Sequence, residues 1–281
     1  MKNLIKKYPV VSYFVLAFGW TWLLVFGLIL SGGVKDVSKP TPLFIIVGLL
    51  CNVSPTIAAI LVTGAVNGKV GIKALLGKFN SKSRRSHYLL SLCVFPGVMA
   101  LTKIISHFVI RPYEWNFVIP LLVMGLIWPL FSAFGEEFGW RGYVLPKLLQ
   151  KHSPLKAGLI LGAIWSTWHL PMDYIGYQAY GSAMIPAFVL VFISLVVQSV
   201  IMTYIYVKGN GNLRLMVLYH YTITGSTILI DGLLKTINDP HLAVYESIVT
   251  VALLLGMAFA LYSRKVTMTG GMKYENQNKA I

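Results

Sequence analysis

The sequence predicts an all-α polytopic membrane helix bundle of about eight transmembrane helices, and three observations lead to this fold class. The composition is strongly apolar, because 56% of the 281 residues are hydrophobic and only 12% are charged. The mean hydropathy is +0.71, well above that of an ordinary soluble domain. The apolar residues are gathered in runs of about 20, the length that crosses a bilayer core as a helix. These properties exclude a soluble enzyme and a soluble nucleic-acid-binding protein.

The apolar runs give the individual helices. A membrane-crossing segment must satisfy its own backbone donors and acceptors, so each run is predicted to be helical. The fifth run is the shortest. The first, second and fourth runs contain no charged residue, and the third contains only Lys103 and His107 near its far end. In chain order the predicted spans are 10–30, 43–66, 88–110, 117–135, 155–170, 184–207, 213–234 and 244–262.

The loop charges predict how the bundle is oriented. Lys and Arg accumulate in short cytoplasmic loops, and here the basic loops alternate with loops that carry few charges. Basic residues cluster before the first span, between residues 69 and 85, between residues 141 and 156, and after the last span. Both termini are therefore predicted to lie in the cytoplasm. The net charge of +15 then reflects membrane topology, and no nucleic-acid partner is expected.

The domain organisation is predicted to be simple. Residues 1–263 should form a single transmembrane bundle, and residues 264–281 a short disordered cytoplasmic tail. The two cysteines, Cys51 and Cys93, both fall inside apolar runs, so a disulfide framework is not expected.

Two adjacent carboxylates directly follow the fourth run. An ionisable side chain at membrane depth is costly, so it normally faces the bundle interior and marks function. Glu137 and Arg141 are four residues apart and share a helix face, whereas Glu136 is rotated by about 100°. We expect Glu137 and Arg141 to form a structural pair that leaves Glu136 free for chemistry. The alternative is that all three only anchor the end of the helix.

Two histidines add polar groups to later spans. His169 ends the fifth run just before a proline, and His220 lies about seven residues into the seventh, with Thr224 on the same helical face. Taken singly, each is typical of a buried, hydrogen-bonded side chain. Taken with Glu136, they predict one site inside the bundle, where all three side chains converge.

The order of these groups resembles a known family. The sequence carries E-E-x-x-x-R at 136–141, W-x-x-x-H at 165–169 and H-x-x-x-T at 220–224. This set is similar to the CPBP family of CAAX proteases and bacteriocin-processing enzymes, also called Abi. The family pattern is E-E-x-x-x-R, F-x-x-x-H and H-x-x-x-N, and the similar core covers about 117–235. Trp165 replaces the Phe, and Thr224 replaces an Asn whose amide is a firmer hydrogen-bond donor.

The resemblance implies an intramembrane endopeptidase that acts on a peptide or on a prenylated or otherwise lipidated protein within the lipid bilayer. The short tail and compact loops indicate a bacterial cell membrane. The resemblance also implies that Glu136, paired with His169, activates a water molecule. His220 and Thr224 would stabilise the oxyanion. Burial disfavours the charged form of a carboxylate, which suits a general base. No cofactor is favoured.

Three alternatives stay open at this point. Glu136, His169 and His220 could form a zinc site with a water in the fourth position, although no H-E-x-x-H is present and three helices would supply the ligands. The protein could instead be a non-proteolytic membrane protein for bacteriocin self-immunity or regulation, whose polar groups only hold the bundle together. A transporter is the third class, but no inverted repeat is visible.

Overall fold

The computed structural model describes residues 2–33, 41–109, 114–115, 119–235 and 240–263, and the predicted all-α class is confirmed. Within these ranges the helices are α1 Lys2–Lys7, α2 Pro9–Leu30, α3 Pro42–Gly77, α4 Arg85–Val109, α5 Ile119–Gly139, α6 Leu145–Leu149, α7 Pro154–Tyr177, α8 Met184–Lys208, α9 Leu213–Leu233 and α10 Pro240–Tyr262. The predicted tail, 264–281, lies outside the described residues.

The long helices match the predicted spans in order. Six stretches of the described chain are long and apolar enough to cross a membrane, and they contain α2, α3, α4, α5, α8 and α10. The protein is therefore an integral multi-pass membrane protein. Helices α7 and α9, with 24 and 21 residues, are of similar length but are not among these six stretches, and they carry the two predicted site histidines. The count of eight spans and the cytoplasmic placement of both termini stay predictions.

Two helices continue further than their apolar runs. Helix α3 extends to Gly77 across a bend at Gly68, whose φ of 63° and ψ of −158° are not helical. Helix α7 runs through Pro171 and ends at Tyr177. An interior proline removes one backbone hydrogen bond, but membrane helices tolerate this where neighbouring helices and side chains compensate. His169 therefore lies inside a helix and not at its end.

Helix α5 has two main helical neighbours. It packs against both α3 and α9, and α7 packs closely against α8. After Gly139 the chain makes one π-helical turn, Trp140–Val144, in which all five residues are buried, and α6 follows directly. π-helical turns are rare in proteins as a whole, and those that occur are often found at functional sites. This turn therefore makes the end of α5 a candidate functional site.

A short β-bridge lies next to the start of α5 and the end of α9. The two-residue strands β1, Glu114–Trp115, and β2, Leu234–Lys235, pair in antiparallel orientation. They join the segment that leads into α5 to the segment that follows α9, which holds these two helices side by side at one end.

Small residues allow α5 to approach α3 closely. A Cβ atom added at Gly139 would lie 2.5 Å from the Pro55 carbonyl oxygen, and one at Gly135 would meet the Asn52 carbonyl. The Thr56 hydroxyl also donates to the Phe134 carbonyl at 3.0 Å. Glycines four residues apart permit this kind of backbone contact between membrane helices. Because Glu136 and Glu137 lie between the two glycines, this contact fixes the helix turn that bears the carboxylates.

Replacing Gly139 by Ala should lower the stability of the folded protein by about 1–3 kcal/mol, since overpacking of this size forces the two backbones apart. The measurement is thermal unfolding of purified protein in detergent. Gly97→Ala in α4 is the matched control, because a Cβ at Gly97 meets nothing within 4 Å. Equal melting temperatures for the two variants would contradict this account of the α3–α5 contact.

Candidate active site

The last turn of α5 carries the two carboxylates into the protein interior. Glu136 is 1% exposed and Glu137 is fully buried. Neighbouring residues on a helix point about 100° apart, so each carboxylate has its own surroundings. Their partners come from α5 itself, the π-helical turn, α7 and α9.

Glu136 is held by two tryptophans through one of its oxygens. Trp165 Nε1 donates to Glu136 Oε2 at 2.7 Å, and Trp140 Nε1 donates to the same oxygen at 3.3 Å. The other oxygen, Oε1, lies 3.9 Å from His220 Nε2, too far for a hydrogen bond. One oxygen is thus anchored, while the other faces an imidazole and is free to accept a proton.

Glu137 joins Arg141 to His220. Its Oε1 accepts from Arg141 Nη1 at 2.8 Å and from His220 Nδ1 at 2.7 Å. A carboxylate only accepts hydrogen bonds, so the Nδ1 of His220 must carry a proton. The Arg141 guanidinium also lies over the Trp165 ring, 4.3 Å from its centroid. Glu137 therefore balances the buried Arg141 charge and fixes the orientation of His220.

Helix α9 supplies His220 and, one turn later, Thr224. His220 is 3% exposed, and its ring lies edge-on to Trp165 with the centroids 5.4 Å apart. Thr224 Oγ1 accepts a long hydrogen bond of 3.4 Å from the Ser132 hydroxyl of α5. The Ser132 hydroxyl also lies 3.2 Å from the Pro129 carbonyl oxygen, so these two acceptors share its single proton.

His169 reaches the site through Trp165. Its Nδ1 donates to the Trp165 carbonyl at 2.9 Å, and its ring lies edge-on to Trp165 and to Trp168. Within the described ranges, no hydrogen bond or ion pair joins His169 to Glu136. The structure therefore brings Glu136, Glu137, Arg141 and His220 into one cluster, and it places His169 next to that cluster across the Trp165 ring.

The cluster is closed to solvent, because its four side chains are at most 3% exposed. In the part of the chain that the structure describes, no group of three or more His, Cys, Asp or Glu side chains is positioned to hold a metal ion. A cavity of about 330 Å³ lies among α4, α8, α9 and α10, and its lining includes Gln198 and Ile223 but none of the cluster residues. Access to Glu136 therefore requires movement of the surrounding helices.

The two tryptophan donors are the site residues that the sequence reasoning missed. Trp140 is four residues after Glu136, a spacing that places both on one helix face. At position 165 the sequence pattern indicates only a bulky aromatic in place of Phe. Indole has an N–H group that a phenyl ring lacks, so this replacement adds a hydrogen-bond donor to the carboxylate. The sequence did offer a signal for these hydrogen bonds. Both residues are aromatic side chains with an N–H donor, and both stand in or near the motifs that predict an intramembrane carboxylate site.

Comparison with known proteins points to one family. Residues 114–226 match the model of the type II CAAX prenyl endopeptidase Rce1-like family. The chain is also 28% identical over 141 residues to a curated CAAX prenyl protease 2 from Methanococcus maripaludis. That match covers 49% of this chain and 49% of the relative, so the chain aligns with about half the length of the curated protein. Every residue of the cluster lies inside the matched segment.

Proposed function

The chain belongs to the CPBP family of CAAX proteases through its 114–226 segment, and from this premise we propose that it is an intramembrane endopeptidase. The observation that carries the proposal is the Glu136 carboxylate, buried in α5, anchored at one oxygen by Trp165 and Trp140 and open at the other toward His220. A carboxylate held in this way is suited to take a proton from a water molecule.

Water activation is assigned to Glu136 together with His169. The indole donors occupy Oε2 and leave Oε1 as the proton acceptor. His169 donates its Nδ1 proton to a backbone carbonyl, so in the neutral ring Nε2 has a free lone pair. That nitrogen can bind the attacking water or carry a proton to the leaving amine. Movement of α7 against α5 would bring it within hydrogen-bond reach of the reacting atoms.

Oxyanion stabilisation is assigned to His220 and Thr224. Because Nδ1 of His220 donates to Glu137, Nε2 can donate to an oxyanion only when the ring carries both protons. The Thr224 hydroxyl, one turn along α9, would supply the second donor. Donors aimed at developing negative charge are usually the largest contribution to catalysis.

The proposed substrate is a prenylated or otherwise lipidated protein segment presented from the cytoplasmic side of a bacterial membrane. The curated relative is named as a CAAX prenyl protease, which supports a prenylated substrate. The predicted topology places the Glu136 end of α5 next to a basic, cytoplasmic loop. No metal is assigned to the reaction, and the zinc alternative with Glu136, His169 and His220 is left to the experiment below.

The test is cleavage of a tagged, farnesylated peptide by the full chain in proteoliposomes, with the product identified by mass. Wild type should produce a single cleavage, Glu136→Gln should not, and a chelator should leave the rate unchanged. No cleavage of farnesylated, palmitoylated or unmodified peptides by folded wild type would reject the proteolytic function. Loss of activity with the chelator and its recovery with added zinc would establish the zinc-dependent version.

Replacing Thr224 by Asn should raise kcat, since an amide N–H is a firmer donor to the oxyanion than a hydroxyl that depends on its rotamer. We expect an increase of about threefold to tenfold, a modest part of what one oxyanion donor contributes. Thr227→Asn, on the same helix but bonded to the Ile223 carbonyl, is the control and should leave the rate as it is. An unchanged or lower kcat in Thr224→Asn, with KM also unchanged, would remove position 224 from the oxyanion site.

A further inference from the structure

A lysine directly after α3 reaches the π-helical turn that follows the two carboxylates. Lys78 is half-buried and begins a short 3-10 helix, Lys78–Asn80. Its Nζ donates to the Gly142 carbonyl at 2.7 Å, and Gly142 is the third residue of the π-helical turn. Lys78 lies outside the segment that matches the protease family, so that match gives it no role.

A proline explains why the Gly142 carbonyl needs a donor from outside its own helix. In an α-helix a carbonyl accepts from the N–H group four residues later, and for Gly142 that residue is Pro146, which has no N–H. The backbone before Pro146 follows the wider π register, because the Leu145 N–H donates to the Trp140 carbonyl five residues earlier. Lys78 therefore supplies the donor that Pro146 lacks.

The turn held in this way carries partners of both carboxylates. Trp140 Nε1 donates to Glu136 Oε2 at 3.3 Å, and Arg141 Nη1 donates to Glu137 Oε1 at 2.8 Å. Both residues come immediately before Gly142 in the chain. A shift of the Gly142 peptide would therefore move the indole and the guanidinium relative to the carboxylates.

The segment that contains Lys78 is itself fixed by two helices of the site. The Phe79 ring stacks on the Phe138 ring of α5, with the centroids 6.1 Å apart. Asn212, at the start of α9, donates from Nδ2 to the Ser81 carbonyl at 2.5 Å. The position of Lys78 is therefore set by α5 and α9, the helices that carry the two carboxylates and the histidine of the cluster.

We propose that Lys78 is a positioning residue: its hydrogen bond to the Gly142 carbonyl holds the π-helical turn and, through Trp140 and Arg141, the geometry of the two carboxylates. A displacement of about 1 Å at a catalytic group can cost about a hundredfold in rate, so a bond that fixes this turn matters for turnover. The proposal rests on the proposed function in one respect, that Glu136 is the base. It extends the site to the end of α3, which the family match does not include.

The first experiment is a double-mutant cycle on the melting temperature of the full chain in detergent, which needs no activity. Lys78→Met removes the donor but keeps a long side chain, and Pro146→Ala gives residue 146 an N–H group that can serve the Gly142 carbonyl. Lys78→Met should lower the melting temperature of the wild-type chain by about 2–4 °C, the usual effect of one lost hydrogen bond. In the Pro146→Ala chain the same substitution should lower it by much less.

Lys73→Met is the matched control, because Lys73 is an exposed lysine of the same helix, five residues earlier. It should leave the melting temperature unchanged in both chains. An equal loss from Lys78→Met with Pro146 and with Ala at position 146 would overturn the proposal, since Lys78 would then not stand in for the missing N–H group.

The second experiment measures cleavage of the farnesylated peptide by the same variants in vesicles, per folded molecule. Lys78→Met should lower kcat by about tenfold and leave KM unchanged, because the substrate still binds while the carboxylates are misplaced. Lys78→Arg, which keeps a donor, and the double variant with Pro146→Ala should recover most of the rate. A purely structural lysine would lower the folded yield but not kcat, so a wild-type kcat in Lys78→Met would overturn the positioning role. If wild type cleaves nothing while the melting temperatures show the expected coupling, the protease function is rejected and the Lys78 contact stands.

Discussion

Replacing Glu136 by Gln should reduce kcat/KM for peptide cleavage by about a hundredfold to ten-thousandfold, the usual contribution of a general base. The amide oxygen of Gln can still accept from Trp165 and Trp140, so the side chain should keep its place. The amide nitrogen would then occupy the position of Oε1, and it can donate a proton but not accept one. Only the chemistry is removed, since both anchoring hydrogen bonds survive.

The measurement is initial cleavage rate per folded molecule in proteoliposomes, with the folded fraction taken from size-exclusion profiles. Glu246→Gln is the matched control, because Glu246 is another intramembrane carboxylate and pairs with Lys103 at 2.8 Å, away from the cluster. That variant should lose stability but keep its turnover number. If Glu136→Gln cleaves as fast as wild type, Glu136 is not the base and the catalytic assignment fails.

Replacing Arg141 by Ala should destabilise the folded protein by about 3–5 kcal/mol, the cost of leaving a buried charge without its partner. The guanidinium is fully buried, pairs with Glu137 at 2.8 Å and covers the Trp165 ring. Its loss would leave the Glu137 carboxylate uncompensated and would release the indole that anchors Glu136. Folded yield and activity should therefore fall together.

Thermal unfolding in detergent measures this effect, with Arg85→Ala as the control because Arg85 is exposed at the start of α4. The double variant Glu137→Gln with Arg141→Met should recover part of the lost stability, since it removes both buried charges. An Arg141→Ala protein that is fully stable but inactive would show that Arg141 takes part in the reaction itself, in place of the structural role given to the pair.

Much of the helical framework could be predicted from the sequence, because a segment in the lipid core must satisfy its own backbone hydrogen bonds. The described part of each predicted run lies on one long helix, apart from Leu234 at the end of the seventh, since an apolar segment in lipid has few alternatives to helical hydrogen bonding. The ends of helices were less predictable. Pro171 suggested a stop after residue 170, but α7 continues to Tyr177. The hydropathy of a run reports contact with lipid, whereas the polar end of α7 is set by its protein neighbours.

The candidate site was predictable in its residue types and only partly in its contacts. The four-residue spacing of Glu137 and Arg141 indicates a shared helix face, and the two groups lie 2.8 Å apart. The hydrogen bond from His220 goes to Glu137 and not to Glu136, which no spacing along the chain could reveal. Contacts of this kind depend on packing between helices, which the sequence pattern does not encode locally.

The pair of indoles on Glu136 also gives the protein a built-in optical probe. Trp165 and Trp140 both donate their N–H groups to a single carboxylate oxygen. Light absorption shifts electron density across the indole ring, so the emission wavelength depends on charge placed next to the ring. Uptake of a proton by Glu136 removes such a charge from both rings at once. Fluorescence of a variant in which the other tryptophans are replaced by Phe should therefore report the ionisation of the buried carboxyl group in real time, before any substrate is known.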